Sequence, residues 1–98
     1  MNQTPHYTIQ SNVKLFPQEG GWHFIAVPQK IIKELRVFAT RGLIPVTATI
    51  GKSTWRTSLM PETGGSTYFI PLNAKIRKQE SLAAGDRVTV TFLPTPDQ

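Results

Sequence analysis

Apolar residues at every second position run through most of this chain, and that period restricts it to strands. Tyr7 and Ile9 alternate with polar neighbours, and Val13 and Leu15 flank Lys14. Trp22, Phe24 and Ala26 alternate with His23, Ile25 and Val27, so that strand is apolar on both faces. Residues 17–21 between these runs read as a hairpin turn. Val46, Ala48 and Ile50 alternate with Thr47 and Thr49. After a short turn at Gly51 and Lys52, Trp55, Thr57 and Leu59 alternate with Arg56, Ser58 and Met60. Residues 61–66 (PETGGS) form a loop and residues 67–72 another strand. Val88, Val90 and Phe92 alternate with Thr89 and Thr91, and Pro94 and Pro96 are expected to end the fold.

Two segments break the period. Residues 28–38 place Ile31, Ile32, Leu35 and Phe38 at helical spacing, with Pro28 suited to a first turn. Residues 73–82 open on a good N-cap, Asn73, and close near Gly85, which can adopt the left-handed backbone that ends a helix or turn. The order then repeats. HFIAVPQKIIKEL (23–35) aligns with YFIPLNAKIRKQE (68–80), so Phe24 meets Phe69 and Ile25 meets Ile70. Val46, Ala48 and Ile50 meet Val88, Val90 and Phe92. The expected architecture is a mainly β domain of two pseudo-symmetric halves, residues 22–50 and 67–92, with two short helices sharing one core.

Ninety-eight residues suit a single domain, with its body at about 7–93 and loose ends at 1–6 and 94–98. The chain has no cysteine, so it holds no disulfide framework and no thiolate zinc site. It shows neither a secretory leader nor an apolar run long enough for a membrane span, and a cytoplasmic location without membrane contact is expected. Eleven Lys and Arg against six Asp and Glu give a net charge of +5, which attracts polyanions.

The strings GGWHFIAVP, GLIPVTATIGKSTWRTSLMP and YFIPLNAKIRK…LAAGDRVTVTF closely resemble a bacterial family of domains of unknown function. The resemblance spans about residues 16–93, and WRTSLMP (55–61) is its most specific part. It implies a double-split β-barrel, the barrel that AbrB/MazE-type DNA-binding proteins build from two short swapped chains. Here one polypeptide would supply both halves. The family supplies no activity, cofactor or catalytic residues, and a shared fold does not transfer DNA binding. AbrB-type binders usually carry arginines in the strand leading to the helix, whereas residues 23–27 and 68–72 contain no Arg or Lys.

Catalytic chemistry finds little footing. GKST (51–54) ends like a phosphate-binding loop, but the Gly required five residues earlier is Val46, inside a strand pattern. Two histidines and scattered acids make no metal-ligand set. Ser53, Ser58 and Ser66 have no base at a recognisable spacing. A noncatalytic binding module is therefore expected, with no catalytic residue, metal or cofactor, and with a small anionic ligand or peptide as partner. Its candidate residues are Trp55, Arg56 and Ser58 in TWRTS, with Trp22 and His23 on a strand that could lie near. Arg flanked by hydroxyls suits a carboxylate or phosphate, and tryptophan suits a flat or cationic group. The plainer alternative has both tryptophans filling the core while Arg56 meets a carboxylate such as Glu62. A second class of function, AbrB-like nucleic-acid binding, would use Lys30, Lys33 and Arg36 on the first helix and Lys75, Arg77 and Lys78 on the second. Duplication within one chain predicts a monomer.

Overall fold

The computed structural model describes residues 6–16, 22–62 and 67–95. The hairpin turn expected at 17–21, most of the loop at 61–66 and the outermost ends lie outside those residues. The elements are β1 (Tyr7–Asn12), β2 (Lys14–Leu15), β3 (His23–Val27), α1 (Gln29–Leu35), β4 (Ile44–Ile50), β5 (Ser53–Pro61), β6 (Tyr68–Leu72), α2 (Ala74–Gln79) and β7 (Arg87–Pro94). The described strands are antiparallel, in the order β1-β7-β4-β5-β6-β3-β2. The first and last strands in that order are consecutive in the chain, so the sheet curls into a nearly closed barrel. At Val13 the chain passes from one side of the opening to the other. Its carbonyl accepts from Gly85 N–H at 2.8 Å, while neighbouring Lys14 pairs with Phe24 on β3.

The registers follow the sequence repeat. On β3 and β6, Ile25 faces Ile70, its own counterpart 45 positions on. On β4 and β7, Thr49 faces Thr91, its counterpart 42 positions on. The correspondence reaches further than the sequence indicated. Tyr7 pairs with Phe92 as Ser53 pairs with Ile50, and Lys14 pairs with Phe24 as Met60 pairs with Phe69. Residues 7–15 therefore stand in the first half where β5 stands in the second. Each half runs long strand, short strand, helix, strand.

Strand alternation sends Ile44, Val46, Ala48 and Ile50 inward with Leu59, Val88, Val90 and Phe92, all buried. Helix residues Ile32, Leu35 and Ile76 are buried with them. On the outer face, Thr8 and Thr91 hydroxyls lie 3.0 Å apart and Thr49 and Thr54 hydroxyls 2.9 Å apart, a polar row across four strands. A second cluster sits outside the β3–β6 ladder, where Phe16 stacks on Phe24 with ring centres 4.0 Å apart and Phe69 meets both edge-on. That cluster explains why β3 is apolar on both faces.

Each half ties the start of its long strand to its own helix. Tyr7 Oη donates to Glu34 Oε1 at 2.7 Å, and Ser53 Oγ donates to Glu80 Oε2 at 2.6 Å. Gly51, at φ +57, leaves room for the Glu80 carboxylate, which a side chain at position 51 would meet. The GKST segment is thus a hairpin turn between Ile50 and Ser53, as the missing glycine implied. Asn73 caps α2, its Oδ1 accepting from Ile76 N–H at 2.9 Å, whereas α1 starts at Pro28 without a side-chain cap. Two expectations need correction. The second helix stops at Gln79, because Ser81 takes the left-handed backbone at φ +55, and Gly85 closes the following turn instead. Pro94, counted with the loose end at 94–98, is instead the last residue of β7 and is buried opposite Val46. Among the described residues β1 begins opposite Phe92, so Pro94 has no described strand partner on that side, where a residue without an N–H is tolerated.

Candidate functional site

The first half joins its helix to β4 with a longer connector than the second half uses. A 3-10 turn (Arg36–Phe38) follows α1, and the chain then reverses at Arg41 and Gly42. Thr40 and Leu43 exchange both backbone hydrogen bonds, at 2.7 and 3.0 Å, around these two residues. Both take positive φ, +53 for Arg41 and +81 for Gly42, which is the two-residue hairpin turn matched to strand twist. Glycine adopts this backbone freely, whereas for Arg41 it is strained. Tyr68 Oη reaches the Gly42 carbonyl at 3.4 Å and anchors the turn to the barrel.

This turn forms one wall of a half-open hollow of about 250 Å3. Thr40, Arg41 and Leu43 come from the turn, Pro45 from β4, Arg56 and Ser58 from β5, and Thr95 from beyond β7. Alternation turns Arg56 and Ser58 outward, opposite Thr47 and Pro45. Thr95 N–H donates to the Pro45 carbonyl at 2.8 Å, and the Thr95 and Thr47 hydroxyls lie 2.6 Å apart. Proline has no N–H, so the returning ladder bond to the Thr95 carbonyl cannot form. Among the described residues, neither the Arg41 nor the Arg56 guanidinium has a hydrogen bond or ion-pair partner. Glu62, the carboxylate considered for Arg56, instead accepts from Thr67 Oγ1 at 2.8 Å.

The matching corner of the other half is built differently. Gln10 and Asn12 stand where Arg56 and Ser58 stand, and Arg87 and Gly85 where Pro45 and Leu43 stand. There the arginine is held internally. Arg87 Nη2 donates to Gln10 Oε1 at 3.3 Å and Nη1 to Asn12 Oδ1 at 3.5 Å, while Asn12 Nδ2 donates to the Gly85 carbonyl at 3.0 Å.

Of the residues singled out in the sequence, the structure brings Arg56 and Ser58 together. Trp55 points to the opposite face of β5 and packs, half-buried, against the core. Trp22 is 51 % exposed at the start of β3, and β6 lies between that strand and β5. His23 is half-buried on β3 opposite Leu72, its Nδ1 shielded from solvent and without a partner in the structure. Neither Trp22, His23 nor Trp55 lines the hollow. Sequence reasoning missed Arg41, Thr40, Leu43, Pro45 and Thr95. Only the Arg-Gly pair at 41–42, a turn cue, was available for the first of these.

The basic helix residues point outward. Lys30, Lys33, Arg36, Lys75 and Lys78 are exposed, and Arg77 is half-buried with Nε donating to the Leu72 carbonyl at 3.2 Å. The antiparallel β3–β6 ladder sends α1 off from Val27 and α2 from Leu72, at opposite ends of that ladder. Among the described residues no three His, Asp or Glu side chains gather to hold a metal ion, and no helix is long and apolar enough to cross a membrane.

These features define a small antiparallel β-barrel domain with two short helices, whose two halves pair strand for strand with one another. Residues 10–92 match the model of DUF1905, a domain of unknown function, and the chain belongs to that family. No curated protein matches the sequence.

Proposed function

We propose that the domain is a noncatalytic binding module that takes a small anionic ligand in the hollow between Arg41 and Arg56. One observation carries this reading. The same corner of the barrel occurs twice, and among the described residues only one copy leaves its arginines without protein partners. Guanidinium groups beside the Thr40 and Ser58 hydroxyls suit a carboxylate or phosphate, which can accept paired N–H bonds. The strained backbone at Arg41 is consistent with a residue held in place for contact rather than for folding. Among the described residues no metal-ligand set accompanies the arginines, and the reading proposed is binding without catalysis.

The registers support a finer description of the fold as a double-split barrel made by internal duplication, the one-chain counterpart of the AbrB/MazE architecture. Because one chain closes this barrel, the domain is expected to be monomeric; light scattering at twice the chain mass would contradict that. Nucleic-acid binding is less favoured, since the two basic helices leave opposite ends of the β3–β6 ladder rather than forming one strip. A 1H–15N titration with acetate and inorganic phosphate tests the anion reading. Saturable shifts should centre on Arg41, Arg56 and Ser58 and vanish in Arg56→Ala. Shifts centred on α1 and α2 with duplex DNA, and none at the hollow with either anion, would instead promote the nucleic-acid reading.

A further inference from the structure

We infer that the occupant of the hollow is the free carboxylate end of a peptide whose last side chain is apolar. This rests on the anion reading above and narrows it. The hollow holds about 250 Å3, just below the range of drug-sized sites, which is room for one or two amino-acid residues rather than for a bare inorganic anion. Among the described residues that line it, the charged groups are both cationic, Arg41 and Arg56. A free amino acid would bring its ammonium group within reach of two guanidinium groups and be repelled. Once that nitrogen is acylated, as in a peptide, the repulsion disappears and an amide N–H takes its place.

That amide would find its acceptor in the carbonyl of Thr95, a residue that lines the hollow. The Thr95 carbonyl receives no ladder bond from position 45, because that residue is proline. Leu43, 36 % exposed, and Pro45 supply an apolar wall for the last side chain. Arg56 and Ser58 then face the carboxylate from β5, with Arg41 closing from the turn. A basic last residue would be opposed by the same two arginines.

The test uses the full chain, with 1H–15N titrations of N-acetyl-glycyl-leucine, its C-terminal amide, N-acetyl-glycyl-lysine, free leucine and acetate. The acetylated Leu acid should shift Arg41, Arg56 and Ser58 and bind at least tenfold more tightly than each of the other four. Arg56→Ala should abolish binding, and Arg56→Lys should weaken it severalfold, because an ammonium cannot make the paired contact. Unchanged amide dispersion in both variants would show that the barrel still folds. If acetate binds as well as the peptide acid, the peptide inference fails and the anion reading stands. If neither shifts the hollow residues, both fail. Peptide binding that survives Arg56→Ala would also overturn the inference.

Discussion

The corner of the barrel at Pro45 and the corner at Arg87 occupy matching places in the two halves, yet they are finished differently. At Arg87 the guanidinium reaches Gln10 and Asn12, and Asn12 reaches the Gly85 carbonyl, so polar groups of that corner satisfy one another. At Pro45 the partner strand carries Arg56 and Ser58, a longer connector brings in Arg41, and a proline interrupts the ladder. In the first arrangement the side chains, although exposed, pair with one another at the surface of the fold. The second leaves donors that only an outside group can use. Two corners at matching places in the barrel thus differ in whether their polar side chains pair within the fold.

The largest effects should come from residues that the two halves share. Ile25 and Ile70 face each other, both fully buried. Replacing either by alanine should cost about 2–5 kcal/mol. Denaturant melts should give the two losses within about 1 kcal/mol of each other. A much larger disparity would break the equivalence at its centre.

Trp55 stands where Ile9 stands in the other half, and both are half-buried against the core. Trp55→Ala should therefore cost roughly 2–3 kcal/mol, below the value for a fully buried tryptophan. Anion binding at the hollow should survive, because the indole lies on the other face of β5. Loss of binding with unchanged stability would return Trp55 to the site.

Helix starts sharpen the contrast further. Asn73 caps α2 through its side chain, and α1 has no such bond. Asn73→Ala should cost about 1 kcal/mol by chemical denaturation. A loss within error of zero would mean that the cap is redundant with the packing of Ile76.

Arg41→Gly relieves a left-handed backbone that costs a side-chain-bearing residue about 1–2 kcal/mol. Glycine's extra chain entropy offsets roughly half of that, so the variant should be about 0.5 kcal/mol more stable while binding anions several-fold more weakly. Reduced stability together with unchanged binding would show that Arg41 serves the fold.

The smallest effect concerns the clasps between strand and helix. The hydrogen bond to Glu34, with help from burial and the nearby charge, raises the Tyr7 hydroxyl to about 12 from an ordinary 10. A raised folded-state value means the contribution is present below pH 10 and is lost as pH rises from about 10 to 12. Absorbance titration near 295 nm should show one tyrosine ionising late, and Tyr7→Phe should remove that step. The Ser53–Glu80 clasp uses an aliphatic hydroxyl where the other half uses a phenol, so Ser53→Ala should leave the alkaline profile unchanged.

Several of these features could be read along the chain. The alternating strands, the helix after Pro28, the cap at Asn73 and the hairpin turn at Gly51 are local, and local patterns carry them. The repeat was visible at residues 23–35 and 68–80, where the same residue types recur. It was invisible at 7–15 and 53–61, where position in the barrel is shared but almost no side chains are. Arg56 and Ser58 could be chosen as candidates because an arginine among hydroxyls stands out within one strand. Trp22 and His23 could not be excluded, because strand order decides adjacency and β6 intervenes.

The sequence by itself determined which segments become strands, which faces go inward, where the helices start, and that cysteine and metal chemistry are absent from the expected repertoire. Only tertiary structure decided that β3 pairs with β6 and β4 with β7, so that each half closes the other. It alone brought Arg41, Arg56 and Thr95 to one hollow from three separate stretches of chain. The reason is physical. Periodicity and capping depend on neighbours a few residues away, whereas a binding site depends on registers between distant strands, which are set when the whole core packs at once.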